Sequence, residues 1–350
     1  MITGGSFVLD VENHIVTLYS NHTRLRYFRI AGITIRIESV IPIREDTFSA
    51  KFTPFEVDGP GSDAITIEHR FSIPDLNGHE MGREVYRREP WVVYRKGRVW
   101  IYINYSHEMP WAPLQIFPRM WHRIRYGGRE SRQDEGSKAG YPFKPANGAH
   151  IHLLAFCSSD HRRLRIFNRG EDQFRGGNLG SLTLFPTDQI LLARILAQRR
   201  GCFFHAGGVA LGNEGFVFIG HSGAGKTTIV TMMKPMAEVL CDDRMIVRRW
   251  PEGFKAHGTW SHGDLEDVSS NSAPLKGIFF LNKARENRIV PLADRNEIVR
   301  KLLPCLVRPL VTSDWWDSML ELVEDIASEV PCFELYFDKS GAIVPLLKEL

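Results

Sequence analysis

The feature that most constrains this chain is the run Gly220-His221-Ser222-Gly223-Ala224-Gly225-Lys226-Thr227, a match to G-x-x-x-x-G-K-[ST] with a second threonine, Thr228, behind it. From ordinary residue frequencies, a chance match somewhere in a chain of 350 residues has a probability on the order of one per cent. Its flanks narrow that further, because FVFI before it reads as a buried strand and TTIVTMM after it as a helix. A phosphate cradle, the Walker A loop, needs that order. Its glycines let successive N–H groups turn toward a triphosphate, and the helix N-terminus adds positive potential. Residues Gly220 to Thr228 are therefore expected around the phosphates of ATP, with Lys226 on the outer phosphates and the Thr227 hydroxyl on Mg²⁺. The plain alternative is a glycine-rich turn carrying a solvated lysine.

Around this loop the pattern alternates between strands and helices. Thr187 and Asp188 are expected to cap a buried connecting helix, DQILLARILAQRR, that stops at Gly201. FFHAGGVAL, FVFIG, VLCDD, MIVRRW, GIFFL and RIVPL read as strands, with helices from Lys226, near Asp294 and at Asp314. In the last of these Trp315, Met319, Leu322, Val323 and Ile326 keep a helical period. MIVRRW-PEG-FKAHGT looks like a hairpin, so the sheet is expected to be mixed. Fifteen residues past Thr227, EVLCDDRMIV sets Asp242 and Asp243 at the end of an apolar strand. One carboxylate there can hold the Mg²⁺ that Thr227 touches, and the other can take a proton from an incoming hydroxyl. His205 lies on the strand before the phosphate-loop strand, where spacing alone favours an ordinary core histidine. His257, His262 and Asp264 fall in a polar stretch, HGTWSHGD, whose plain reading is a surface turn. That setting lacks the helical i, i+4 geometry of a zinc pair.

The first half has a different texture. FVLDV, HIVTLYS, LRYFRI, ITIRIESV, AITIEHRFSI, WVVYR, VWIYINYS and IHLLAF read as strands, and no long helical period intrudes. Residues 123–150 lose apolar content and read as a long Arg- and Gly-rich loop. Residues 1–200 carry 28 Lys and Arg against 21 Asp and Glu (+7), and residues 201–350 carry 16 against 20 (−4). A +7 spread over 200 residues is a weak argument for nucleic acid, which is not expected as a partner. Two arginine clusters stand out: Arg119, Arg123, Arg125, Arg129 and Arg132, and Arg162, Arg163, Arg165 and Arg169. They read either as solvated surface or as a patch for an acidic peptide or nucleotide phosphates. No apolar run reaches the ~20 residues of a membrane helix and the start lacks a signal-peptide pattern, so a cytoplasmic chain without a membrane partner is expected. The five cysteines have no C-x-x-C spacing and read as buried thiols.

The order of H-A-G-G-V, G-x-S-G-A-G-K-T-T, C-D-D and T-W-S-H-G-D, followed by PLKGIFFL, resembles the catalytic domain of HPr kinase/phosphorylase. It is especially similar to HPr-kinase-like proteins, some of which accompany peptide-modification cassettes. That resemblance covers roughly residues 185–350 and implies a fold related to ATP-dependent phosphoenolpyruvate carboxykinases. It implies ATP on Gly220 to Thr228 and Mg²⁺ on Thr227, with Asp243 and Asp264 supporting the metal. Asp264 stands where the relatives carry a glutamate and, one methylene shorter, would reach the ion through water. The resemblance further makes Asp242 the base for the acceptor hydroxyl, Lys226 a catalytic cation and His205 the active-site histidine. The E-I-R-G-L-G signature and a matching C-terminal substrate region are missing, which argues against recognition of the HPr phosphocarrier.

The expected architecture is α/β: a β-rich region, residues 1–185, suited to docking a substrate, then a phosphate-loop domain with a mixed sheet, residues 186–350. The expected activity is ATP- and Mg²⁺-dependent transfer of the γ-phosphoryl group to a hydroxyl, that of Ser on a peptide or protein. A kinase of small-molecule hydroxyls and a nucleotide-binding module without transfer are the rival readings. An oligomer is compatible with all three.

Overall fold

Residues 24–106 and 150–350 are described by the structure, a computed structural model of the chain. The strands expected at FVLDV and HIVTLYS, residues 123–149 of the expected loop and the cluster from Arg119 to Arg132 lie outside the described residues. His150, the last residue of that expected loop, instead opens a strand.

The first sheet is built from β1 (Leu25–Ile30), β2 (Ile33–Ser39), β3 (Glu56–Val57), β4 (Ala64–Arg70), β5 (Arg83–Arg88), β6 (Trp91–Lys96), β7 (Val99–Ser106), β8 (His150–Ser158) and β9 (Arg163–Asn168). Its order is β3-β1-β2-β4-β9-β8-β7-β6-β5. It is mixed: β2–β4 and β4–β9 run parallel and the other pairs antiparallel. Alternation puts Ile35 beside Ile65 and Ile37 beside Ile67, all fully buried on one face. The second arginine cluster becomes a strand inside the sheet, because Leu164 and Ile166 alternate inward while Arg165 pairs with Glu68 across β4 at 2.7 Å. β5, REVYRR, has no apolar alternation and was not legible as a strand. It lies at the sheet edge, where charge discourages further pairing.

The second sheet holds β10 (Gly201–Leu211), β11 (Glu214–Ile219), β12 (Glu238–Cys241), β13 (Arg244–Trp250), β14 (Gly253–His257), β15 (Ser272–Lys283), β16 (Arg288–Leu292) and β17 (Cys332–Phe337). The order β11-β10-β13-β14-β15-β17-β16 closes on itself where β11 pairs back, in parallel, with β15. β13 and β14 form the expected hairpin, Trp250 opposite Gly253. The long β10 changes partner along its length: Gly201–His205 pair with β13, and Gly208–Ala210 pair with β12. Asp242 and Asp243 fill the step between those partners.

Helices cover this sheet. Lys226–Met233 buries Ile229, Val230 and Met233 against Val209, Phe216 and Phe218. Gly207 lets it approach, since a Cβ there would stand 2.8 Å from Val230 Cγ2. Arg295–Leu302 starts at Asp294, whose side chain accepts from the N–H groups of Asn296 and Glu297. Trp315–Glu329 buries Trp315, Met319, Leu322, Val323 and Ile326, the residues its period marks. β17 and a final helix, Ile343–Lys348, were not among the expected elements.

The connecting helix starts as a π-helical turn, Asp188–Leu192, and continues as an α-helix, Ala193–Ala197. Neither Thr187 nor Asp188 caps it. The Thr187 hydroxyl is held by those of Ser181 and Thr183, both at 2.7 Å, and the Asp188 carboxylate is turned inward by other partners. One core cluster runs across the helix. Leu191, Ile195 and Leu196 pack with Phe203, Ile246 and Trp260 of the second region in the same cluster as Phe28, Ile35 and Trp100 of the first. Arg194 stacks over Trp100 at 4.6 Å and bonds the Val311 carbonyl at 2.7 Å, and Arg199 forms a two-pronged ion pair with Asp63. No helix among the described residues is long and apolar enough to cross a membrane. The five cysteines are free and buried.

Candidate functional site

The glycine-rich run forms the loop between β11 and the Lys226–Met233 helix. Gly223 and Gly225 take φ of +78° and +107°, values that disfavour any side chain. At Gly225 a Cβ would also stand 2.8 Å from Phe337 Cζ. The turn directs the chain into a helix whose first N–H groups, as in any α-helix, have no carbonyl one turn back to bond. His221, Ser222 and Gly223 are exposed at its rim. Lys226 folds across the loop, its ammonium donating to the carbonyls of Gly220 and His221 at 3.0 and 3.2 Å. A glycine turn, a helix start and a cation therefore meet at one point, a combination with the chemistry to attract an anion.

Asp242 meets this loop from the end of β12. Its Oδ2 accepts from the Thr227 hydroxyl at 2.9 Å and the Leu265 N–H at 3.1 Å, and its Oδ1 accepts from the Gly263 N–H at 2.5 Å. Three donors and 2% exposure lock it in place. Asp243 turns the other way. Its side chain is 22% exposed, with Oδ1 4.0 Å from His205 Nδ1 and Oδ2 3.4 Å from Arg244 Nε. His205 is opposite Arg244 in the β10–β13 register, so strand pairing sets the contact. Thr227 thus touches the first aspartate of the pair, whereas the resemblance assigns the metal to the second.

The HGTWSHGD stretch is not the surface turn its composition suggests. Thr259, Trp260 and Ser261 are buried because each finds a partner inside. Thr259 donates to the Arg244 carbonyl at 2.5 Å, Trp260 Nε1 to Asp188 Oδ1 at 3.0 Å, and the Ser261 hydroxyl to Asp188 Oδ2. Arg244 Nη1 also reaches Asp188 Oδ2, at 3.1 Å. Local pattern marks Asp188 only as a cap residue. Its buried pairing to Arg244, two positions from Asp242, had no signal in local spacing.

The other expected residues are distributed around this centre. Asp264 is exposed between the two N–H groups that clamp Asp242, and its side chain makes no hydrogen bond or ion pair with a described residue. His262 stays at the loop surface, its Nδ1 3.3 Å from the Gly263 carbonyl. His257 is elsewhere. It accepts from Trp250 Nε1 at 3.0 Å, and burial pushes its pKa down to about 3, aided by the charges of Arg248 and Lys255. It borders a pocket of about 250 Å³ at the joint of the two regions, shared with Arg29, Trp250 and Lys255. None of the residues of the glycine-rich loop lines that pocket.

Among the described residues no group of three or more His, Cys, Asp or Glu converges as a metal site. Mg²⁺ asks for less, typically one or two protein oxygens with the rest from phosphates and water. Thr227 Oγ1 and Asp242 Oδ2, adjacent hard oxygens 2.9 Å apart, fit that donor chemistry.

Residues 186–305, about a third of the chain, match the family model described as SynChlorMet cassette protein ScmC. The match begins at the connecting helix and includes the loop, the aspartate pair and the buried Trp260 stretch. No curated protein matches the chain.

Proposed function

We propose that this chain is an ATP- and Mg²⁺-dependent kinase that transfers the γ-phosphoryl group to a hydroxyl, that of a serine on a peptide or protein. The observation that carries the reading is the 2.9 Å contact between Thr227, at the start of the loop helix, and Asp242, at the end of β12. A glycine cradle alone binds phosphate. A cradle whose threonine meets a strand-end carboxylate has the parts for a phosphate-bound metal as well.

The residues take distinct roles. The backbone of Gly220 to Thr228 surrounds the triphosphate, and Lys226 leaves its carbonyl contacts to pair with the outer phosphates. Mg²⁺, when bound, neutralises phosphate charge, held by Thr227 and Asp242, with Asp264 reaching it through water. Asp243 is the proton acceptor for the incoming hydroxyl and His205 orients it. This exchanges the roles that the resemblance gives the two aspartates. Supporting the exchange, three donors occupy the Asp242 carboxylate and only 2% of the residue is exposed, whereas the Asp243 side chain is 22% exposed. An acceptor hydroxyl must come within ~3 Å of its base, which the enclosure of Asp242 opposes.

Two observations favour a polypeptide acceptor. The family-model match is to a cassette protein, which fits a peptide-modification system, and the first β-rich region packs directly on the Trp260 loop beside the aspartates. The test is paired substitution. Asp243→Asn is expected to keep ATP·Mg²⁺ binding and to slow transfer by ~10² to 10⁴. Asp242→Asn is expected instead to raise the Mg²⁺ concentration needed. The reverse pattern would restore the roles given by resemblance. ATP turnover indifferent to any acceptor would favour the nucleotide-binding module, and labelling of a free hydroxy-amino acid the small-molecule kinase.

A further inference from the structure

The groups around Asp243 come from both β-rich regions. Between β2 and β3, the 3₁₀ segment Ala50–Phe55 lays Phe52 and Phe55 on the Trp260 ring, with centroids 5.1 and 5.2 Å apart. Trp260 holds Asp188, Asp188 holds Arg244, and Arg244 Nε lies 3.4 Å from Asp243 Oδ2. Buried aromatic packing thus fixes the segment against the site, and residue 51 with it.

That residue is a lysine. Its ammonium stands 5.2 Å from the Phe52 ring centroid, within electrostatic reach of Asp188, Arg244 and Asp243. Burial is the main influence on it and lowers its pKa, while part of the residue stays in contact with solvent. Among the described residues no carboxylate comes within ion-pairing distance of it, and it donates no hydrogen bond. Asp188 is already committed to Arg244, Trp260 and Ser261. A half-buried cation on a segment fixed by aromatic packing, with no ion-paired anion of its own among the described residues, is equipped to meet one brought by a ligand.

Resting on the kinase reading above, we infer that Lys51 is a catalytic residue supplied by the first β-rich region, donating an N–H to a non-bridging oxygen of the phosphoryl group in transfer. The bond broken joins the γ-phosphorus to the oxygen bridging to the β-phosphate, and its electron pair leaves with ADP. The bond formed joins that phosphorus to the acceptor oxygen, whose proton passes to Asp243. Lys51 exchanges no proton. Its charge offsets the repulsion between the Asp243 carboxylate and the approaching phosphoryl oxygens, an electrostatic role that counts most where water is excluded. The transfer site is then composite, and neither region holds it alone.

The experiment uses the full chain and two variants. Lys51→Met keeps an apolar stem over Phe52 without the charge, and Lys51→Arg restores the charge. ATP·Mg²⁺ affinity is read by calorimetry, transfer by single turnover of γ-labelled ATP onto the acceptor, and folding by the melting temperature. Lys51→Met is expected to bind ATP close to wild type while transferring ~10²- to 10³-fold more slowly, with partial recovery in Lys51→Arg. Should Lys51→Met melt early, Lys51→Gln supplies the neutral variant. Wild-type transfer rates in the neutral variant would overturn the role of Lys51 and leave the kinase reading standing. A raised acceptor KM with an unchanged single-turnover rate would place Lys51 on the acceptor and overturn the phosphoryl contact. A wild-type chain that binds ATP and labels no acceptor would remove the kinase reading, and this role with it.

Discussion

Lys226 carries the one side-chain charge in the glycine-rich loop, so its removal separates binding from fold. Lys226→Ala is expected to weaken ATP about 10- to 100-fold, the value of a hydrogen bond to a charged partner, with the melting temperature unchanged. Calorimetry against the wild-type chain checks it. Gly225→Ala should act differently, because φ of +107° and the Phe337 ring 2.8 Å from a Cβ deform the loop itself. The expected cost is about 1–2 kcal/mol of stability together with lost ATP affinity, seen in denaturant titration and calorimetry. At this scale legibility followed chemistry. The glycine turn could be read because its positive φ values at Gly223 and Gly225 demand glycine at fixed spacing. Lys51 could not, since its meaning comes from Trp260 and Asp243, both about 200 residues away in sequence.

Among elements, the Thr259–Leu265 stretch does most to connect scaffold and chemistry. Its buried side chains hold Asp188 and the Arg244 carbonyl, and its backbone clamps Asp242. Trp260→Ala removes an indole packed against Phe52 and Phe55, and should cost ~3–5 kcal/mol in urea unfolding. Trp260→Phe keeps most of that packing but leaves Asp188 Oδ1 without its indole donor, an expected loss of ~1–3 kcal/mol. A larger loss from Phe than from Ala would refute the packing argument. The plain reading of the stretch as a surface turn fails for Thr259 to Ser261 because Thr and Ser are surface residues on average, and only tertiary partners reverse that average. The Trp315–Glu329 helix, by contrast, carries its buried face in its own period and could be read directly. The charged strand β5 and the π-helical start of the connecting helix carried no such local pattern.

At the scale of the whole molecule, the expected boundary near residue 186 marks a change of sheet, and one core cluster crosses it. Ile190, Leu191, Ile195, Phe203, Ile246 and Trp260 all pack into the cluster of the first sheet. A fragment beginning at Pro186 would lay these side chains bare, and is expected to aggregate or to show no cooperative melting, unlike the full chain. Acid should weaken the full chain in a defined window. Burial lowers the pKa of His69 to about 4, and of His161 and His257 to about 3, from an ordinary 6.5. Unfolded, these rings take up protons near pH 6.5, so the unfolded state binds more protons below that point. Their contribution is complete above pH 6.5 and is lost as pH falls toward 4 and then 3. The slope is up to ~1.4 kcal/mol per pH unit for each ring. Urea midpoints between pH 7.5 and 5 report it, and His161→Gln should remove one share of the slope.

The central claim concerns transfer, so its most direct measurement follows the γ-phosphoryl group. The full chain is incubated with γ-labelled ATP, Mg²⁺ and the polypeptides encoded beside it, and the label is traced by mass spectrometry to a residue. The account predicts label on a serine hydroxyl of one polypeptide. It also predicts that chelation of Mg²⁺ or Lys226→Ala abolishes the label, and that Asp243→Asn and Lys51→Met slow it strongly. Tight ATP binding with no label on any of those polypeptides, or labelling that survives Lys226→Ala, would contradict it.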